Sequence, residues 1–230
     1  MNLTLTPSQE TLRAMKEFAK VVAVGVLMLA PQFAWPRDLP PEFKNLKSLP
    51  SVKVDLRYAS TNNFMNKNVY GDFQETFLHE RAFKMLKAAS EELDRRQPGY
   101  KLIVFDALRP RRVQRILFSH VVGTPEEKYV ANPDRGGMHN YGFAVDLSII
   151  DTAGKELDMG TPFDDFTDLS QPQLEEKFLK DGKLKPKHIQ NRRLLREVME
   201  KQGFKVLSHE WWHFDALPQD DVRKNYKIVE

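Results

Sequence analysis

Gly136-Gly137-Met138-His139-Asn140-Tyr141-Gly142-Phe143-Ala144-Val145-Asp146-Leu147 is the stretch on which the reading of this chain turns. From Phe143 to Ile149 the large apolar side chains fall on alternate residues, Phe143, Val145, Leu147 and Ile149, which is the period of a β-strand. Ala144, Asp146 and Ser148 then point to the opposite face. A carboxylate in so apolar a strand is costly unless a cation or metal meets it. His139 precedes the strand in a glycine-rich turn, where the backbone can bend to bring its ring alongside Asp146. A hairpin with a solvated Asp146 would explain this segment equally well, so the decision falls to a second cluster far downstream.

That cluster is Ser208-His209-Glu210-Trp211-Trp212-His213-Phe214-Asp215. Glu210 and His213 lie three apart among aromatic residues, which imply a packed and partly dry wall. His139, Asp146 and His213 together are three ligands of the kind a catalytic zinc uses, with one position left for water. Zinc lowers the pKa of such a water to roughly 7. Glu210 is then the candidate general base, and Arg109 the candidate stabiliser of a developing oxyanion. Arg109 ends the apolar strand Tyr100–Asp106 and is followed by Pro110, so it is placed to face a cleft. These five residues supply the parts of metal-assisted amide hydrolysis. Neither His-x6-Asp nor Glu-x2-His is specific alone. His79, His120, His188 and His209 are read as surface or structural, with His209 the open case because it abuts Glu210.

Composition narrows the alternatives. The chain has 230 residues and no cysteine, so disulfides, thiolate nucleophiles and Cys-type zinc sites are excluded. Lys and Arg are mixed with Asp and Glu to a net charge of +3, without the separated basic stripe of a nucleic-acid binder. Hydrophobic content of 41% supports a real core. Val21 to Ala30 is an unbroken apolar run of ten, short for a transmembrane helix and suited to a signal-peptide core. The positive charge before it and Ala30 or Ala34 after it fit export; the long polar leader and the missing small residue two positions earlier fit a buried N-terminal helix. Residues 1–35 are expected as a signal peptide or membrane anchor, 36–50 as a proline-rich linker outside the core, and 51–230 as the domain. Export would place the protein in the periplasm or cell envelope, without stable membrane contact once processed; the cytoplasm is the alternative.

Within the domain, Val52–Tyr58 alternates like a strand and 59–71 reads as a long ordered loop. Phe77–Arg96 and Pro186–Gln202 carry helical stripes ended by Pro98-Gly99 and Gly203, and 111–122 is helical. Asp151–Gly154 is a hairpin turn, and Asp158–Asp168 an acidic loop.

Taken in order, Asp106-Ala107-Leu108-Arg109-Pro110, His139-x2-Gly142-x-Ala144-x-Asp146 and Glu210-Trp211-Trp212-His213-Phe214 resemble the motifs of zinc D-alanyl-D-alanine dipeptidases. These belong to the peptidase family that also holds D,D- and L,D-carboxypeptidases of peptidoglycan. Leu56-Arg57-Tyr58-Ala59-x3-Asn63-Phe64 and Asp158-Met159-Gly160-Thr161-x-Phe163-Asp164 extend the resemblance, which runs from about Val52 to Phe214. It implies one zinc on His139, Asp146 and His213, Glu210 as base, and Arg109 stabilising the transition state. It further implies that Tyr58 and Asp164 hold the ammonium of a small D,D-dipeptide. The implied fold is α+β, a small, mostly antiparallel sheet with packed helices, as in the hedgehog and D,D-peptidase scaffold. One departure is Gly137, where the family has serine in the substrate pocket; it leaves the metal chemistry untouched and bears on how the substrate carboxylate is held. A peptidoglycan carboxypeptidase, with an open groove, and a catalytically silent zinc module on the same scaffold are the alternatives. A silent module has no use for Glu210 and Arg109.

Overall fold

The computed structural model describes residues 39–230; the expected export segment 1–35 lies outside the described residues. Among these residues the elements run β1 (Phe43–Asn45), β2 (Val52–Val54), β3 (Phe77–His79), α1 (Glu80–Arg96), β4 (Lys101–Asp106), α2 (Arg111–Val121), β5 (Ala144–Ile150), α3 (Glu175–Lys180), α4 (Pro186–Glu200), β6 (Lys205–Leu207), β7 (Glu210–Asp215) and α5 (Gln219–Asn225). The class is α+β, as expected. The main sheet has the order β2-β4-β5-β7-β6, and every neighbour pair is antiparallel except β2 with β4. None of the described helices is long and apolar enough to cross a membrane.

β5 is the middle strand, and all seven of its residues are buried, so both faces are covered. The alternation in its sequence therefore separates a purely aliphatic face from one that carries Asp146 and Ser148 into the protein, and not a core face from a wet one. α1 presents Ala82, Leu86, Ala89 and Leu93 inward at helical spacing. α1 packs against β4 and α4, and α4 packs against β6 and β7. Pro186 opens α4 at its first position, where a missing N–H costs nothing.

Three expectations are corrected. Residues 43–50 are not linker: β1 pairs antiparallel with β3, and Leu46 and Leu49 are buried in the main core. The prolines break helix there but leave short extended pairing possible. The helix expected from Phe77 begins at Glu80, because Phe77–His79 pair with β1 and His79 caps the helix by accepting from the Arg81 amide. The strand expected over 52–58 stops at Val54, and Arg57–Ala59 turn into a 3-10 helix that carries Tyr58 into the cleft.

Candidate active site

Two strand registers and one turn assemble the centre. Asp146 of β5 stands opposite His213 of β7 on one side and opposite Asp106 of β4 on the other. His139 comes from a 3-10 turn, Met138–Tyr141, which Gly142 closes in the left-handed region at φ 71°. A Cβ at Gly142 would lie 3.0 Å from the His79 amide and 2.8 Å from the Phe43 ring, so only glycine lets the chain turn so tightly into β5. His139 Nε2 lies 3.2 Å from Asp146 Oδ2, His213 Nδ1 lies 2.9 Å from Asp146 Oδ1, and the two imidazole nitrogens are 3.1 Å apart. Among the described residues this is the group whose donors could share a metal ion, all within 4.8 Å of one another.

The far side of each imidazole decides whether a metal fits. His139 Nδ1 is 2.7 Å from the Ala107 carbonyl, which can only accept, so that nitrogen carries the proton and Nε2 presents a lone pair. His213 Nε2 is 2.9 Å from Asp215 Oδ1, which orients Nδ1 inward in the same way. Two lone pairs at 3.1 Å beside a carboxylate repel unless a cation lies among them. The donor set therefore fits a divalent metal. Without one, a proton substitutes: burial opposes charge on His213, but Asp146 and Asp215 outweigh it and hold its pKa well above the usual imidazole value. Burial likewise opposes charge on Asp146, and the two histidines override it and hold the carboxyl low.

Glu210 and His213 would face opposite sides of a regular strand. The pairing of β6 with β7 shifts register between Val206 and Leu207, and both side chains line the same cleft. Glu210 Oε2 comes within 3.9 Å of His213 Nδ1. Burial pushes the Glu210 pKa up to about 8, with His213 opposing it only in part.

Arg109 is buried at the end of β4. Its Nε donates to Asp106 Oδ2 at 2.7 Å, its Nη2 reaches the same oxygen at 2.6 Å, and its Nη1 donates to Gln114 Oε1 at 3.0 Å. Asp146 Oδ2 lies 3.6 Å from Nη2. Burial disfavours the guanidinium charge, yet Asp106 and its neighbours more than restore it. Tyr70 donates its hydroxyl to Asp106 Oδ1 at 2.7 Å, so the carboxylate that holds Arg109 is itself held. Asn140 ties this strand end to the histidine turn by donating to the Arg109 carbonyl at 2.7 Å.

Tyr58 and Asp164 meet in the same cleft, the Tyr58 hydroxyl donating to Asp164 Oδ1 at 3.0 Å. Asp164 sits at φ 63°, a left-handed conformation that a short polar side chain tolerates. Burial first, then the charge of Asp146, raises its pKa to about 8. The loop carrying it is anchored by Arg192 of α4, which donates to the Met159 carbonyl at 2.6 Å and to Thr161 Oγ1 at 3.2 Å.

All seven residues singled out in the sequence, Tyr58, Arg109, His139, Asp146, Asp164, Glu210 and His213, line one cavity. His209 lines it too, its ring 5.5 Å from that of Tyr129, whereas His79 and His188 are buried structural residues. Asp106, Tyr70, Gln114 and Asp215 went unassigned. Asp215 alone had a usable signal, standing two residues after His213 and so on the same strand face.

A structural metal site has no need of a buried acid poised near neutrality or of an arginine locked beside the ligands. Metal-assisted peptide hydrolysis can use both, one as a base and one to stabilise a developing oxyanion, and the cleft is that of a metallopeptidase. The chain belongs to the D-ala-D-ala dipeptidase family, whose pattern matches residues 42–230. It is 32% identical over 171 residues to a D-alanyl-D-alanine dipeptidase of Escherichia coli (strain K12), spanning 74% of this chain and 81% of that one. It is 34% identical over 183 residues to a D-alanyl-D-alanine dipeptidase of Enterococcus faecium, spanning 71% and 85%. Among solved structures, the LdcB LD-carboxypeptidase overlaps 82% of this chain and 75% of its own, at a TM-score of 0.40 and 17% identity.

Proposed function

We propose that this chain hydrolyses free D-Ala-D-Ala to two D-alanines, with one zinc per subunit held by His139, Asp146 and His213. The observation that carries the reading is the meeting of Tyr58 and Asp164 in the cleft of the metal ligands, an acidic end suited to a free ammonium. Zinc at this donor set supplies Lewis acidity toward the scissile carbonyl and acidifies a water near neutral pH. Glu210 takes the proton of the attacking water and returns it to the departing amine; a pKa raised by burial suits both roles. Arg109 places fixed positive charge near the carbonyl oxygen as it becomes negative, and its contacts with Asp106 and Gln114 hold it there without reorganisation. Burial and the charge of Asp146 make Asp164 costly to ionise, and a substrate ammonium would supply the counter-charge that burial denies it.

The wall beside Asp164 supports a dipeptide over a longer substrate. Phe166 stacks on Tyr129 with centroids 4.9 Å apart and packs on Phe64 at 5.0 Å, and Phe64 meets Tyr58 at 6.2 Å. An acylated amino end would meet these rings and lose its charge. The apolar run Val21–Ala30 supports export, in which case the dipeptide is met as a product of wall turnover and not as a cytoplasmic precursor.

The test is D-alanine release by the zinc-loaded chain from D-Ala-D-Ala, N-acetyl-D-Ala-D-Ala and L-Ala-L-Ala, with a Glu210→Ala control. Turnover of the free D,D-dipeptide, lost in the variant, is the expected result. Preferential cleavage of the acetylated substrate would make the protein a carboxypeptidase instead.

A further inference from the structure

A dipeptide zwitterion has two charged ends, and the site as described meets one of them. Tyr58 and Asp164 suit the ammonium. At the turn that leads to His139, Gly137 and Ala131 line the cleft without any polar side-chain atom. The carboxylate therefore needs a cation from elsewhere, and besides histidines the cleft is lined by Arg109, Lys128 and Arg223. Arg109 already directs Nε and Nη2 to Asp106 and Nη1 to Gln114. Lys128 is exposed, its ammonium 4.9 Å above the Tyr129 ring.

Arg223 differs from both. It lies on α5, which packs against the Met138–Tyr141 turn and is rooted by the fully buried Val222. Its Nη2 donates to Gln219 Oε1 at 3.0 Å, Gln219 Nε2 donates to Asp215 Oδ2 at 3.0 Å, and Asp215 Oδ1 accepts from His213 Nε2 at 2.9 Å. The guanidinium is thus fixed relative to the metal ligands through three hydrogen bonds. Its side chain is 21% exposed, so part of the guanidinium stays open to the cleft that it lines. The nearest carboxylate, Asp220 Oδ1, is 3.8 Å from Nη1 on a side chain that is 99% exposed, so water screens it and leaves the arginine charge largely uncompensated. A planar fork already held in place by Gln219 matches a carboxylate better than a mobile ammonium does.

We propose that Arg223 receives the terminal carboxylate of the substrate, making α5 the specificity element at that end of the cleft. This rests on the peptidase reading above but not on the choice of dipeptide, since acetylated and free substrates share the carboxylate. The test compares zinc-loaded wild type, Arg223→Gln and Arg223→Lys on D-Ala-D-Ala and on its C-terminal amide, each with zinc content and melting temperature measured. If the wild type prefers the acetylated substrate, that peptide and its amide are used instead. Arg223→Gln is expected to raise KM for the acid by about 10- to 100-fold. KM for the amide should move less than twofold, and Arg223→Lys should recover part of the loss on the acid. Calorimetry with a Glu210→Gln background should give the same ratio in Kd, separating recognition from turnover. Equal losses on acid and amide would reduce Arg223 to a support of Gln219 and Asp215 and overturn the proposal. So would an acid-selective loss in Lys128→Gln with none in Arg223→Gln.

Discussion

Asp106 and Asp146 face each other in register across β4 and β5, two carboxylates in the buried middle of a sheet. Arg109 lies 2.6 Å from the first and 3.6 Å from the second, and this makes the pairing tolerable. Arg109→Ala leaves the buried Asp106 without its cation, while Asp146 keeps His139 and His213, and should destabilise the metal-free protein by about 3–5 kcal/mol in urea titration. Arg109→Lys keeps a charge but not the fork; kcat should fall by about 10²- to 10³-fold with zinc content retained.

Asp215 orients the imidazole of His213 from outside the ligand set. Asp215→Asn is expected to weaken zinc binding by about 10- to 100-fold, read by chelator competition. Because His213 holds its proton above the usual imidazole range, the zinc proposed at this site would compete with that proton through neutral pH. Zinc affinity of the wild type should therefore rise with pH across that range, by at most about tenfold per unit for each proton released.

Glu210→Gln should lower kcat by about 10²- to 10⁴-fold and leave the zinc stoichiometry intact. The same change should stabilise the metal-free protein. With a folded pKa of about 8, Glu210 keeps a proton that the unfolded chain, at an ordinary value of about 4.3, has already lost. Stability contributed by this group is present below about pH 4 and is lost as pH rises toward 8. At pH 8 we expect a gain of roughly 1–3 kcal/mol in the variant, about 2–10 °C in Tm, shrinking to nothing at pH 4. An unchanged melting curve at pH 8 would refute it.

On the proposed reading, in which Asp164 faces the substrate ammonium, Asp164→Asn should raise KM for the free dipeptide by about 10- to 100-fold, with a much smaller effect on an N-acetylated substrate. In the wild type, kcat/KM should climb as pH approaches 8 and Asp164 ionises, then fall as the substrate amine, with a pKa of about 8, loses its proton.

Much of the site was legible because its residue types are rare where they stand. A carboxylate in the apolar run Phe143–Ile149, or a Glu and a His among tryptophans, is costly without a partner, but side-chain alternation alone left Asp146 equally free to face solvent, and only the covering of both faces of β5 put it inside. Boundaries were less legible. Phe43–Asn45 is too short and too proline-flanked to read as a strand, and gains its extended form only from β3, a partner more than thirty residues away. His79, expected as surface or structural, is structural: it ends a strand and caps a helix at once.

The candidate residues were readable in the linear chain: no cysteines, so His, Asp and Glu as candidate ligands; a glycine turn before a strand; an arginine stopped by proline. These are local properties, set by the steric limits of single residues and by the two-residue period of a strand. The geometry was not local. The register that sets Asp146 against His213, the shift in β7 that turns Glu210 to the same cleft, and the chain from His213 through Asp215 and Gln219 to Arg223 each join segments by contacts across the fold. Such contacts depend on hydrogen bonds and packing between distant elements, which no spacing within one segment records, and so only the tertiary structure decided them.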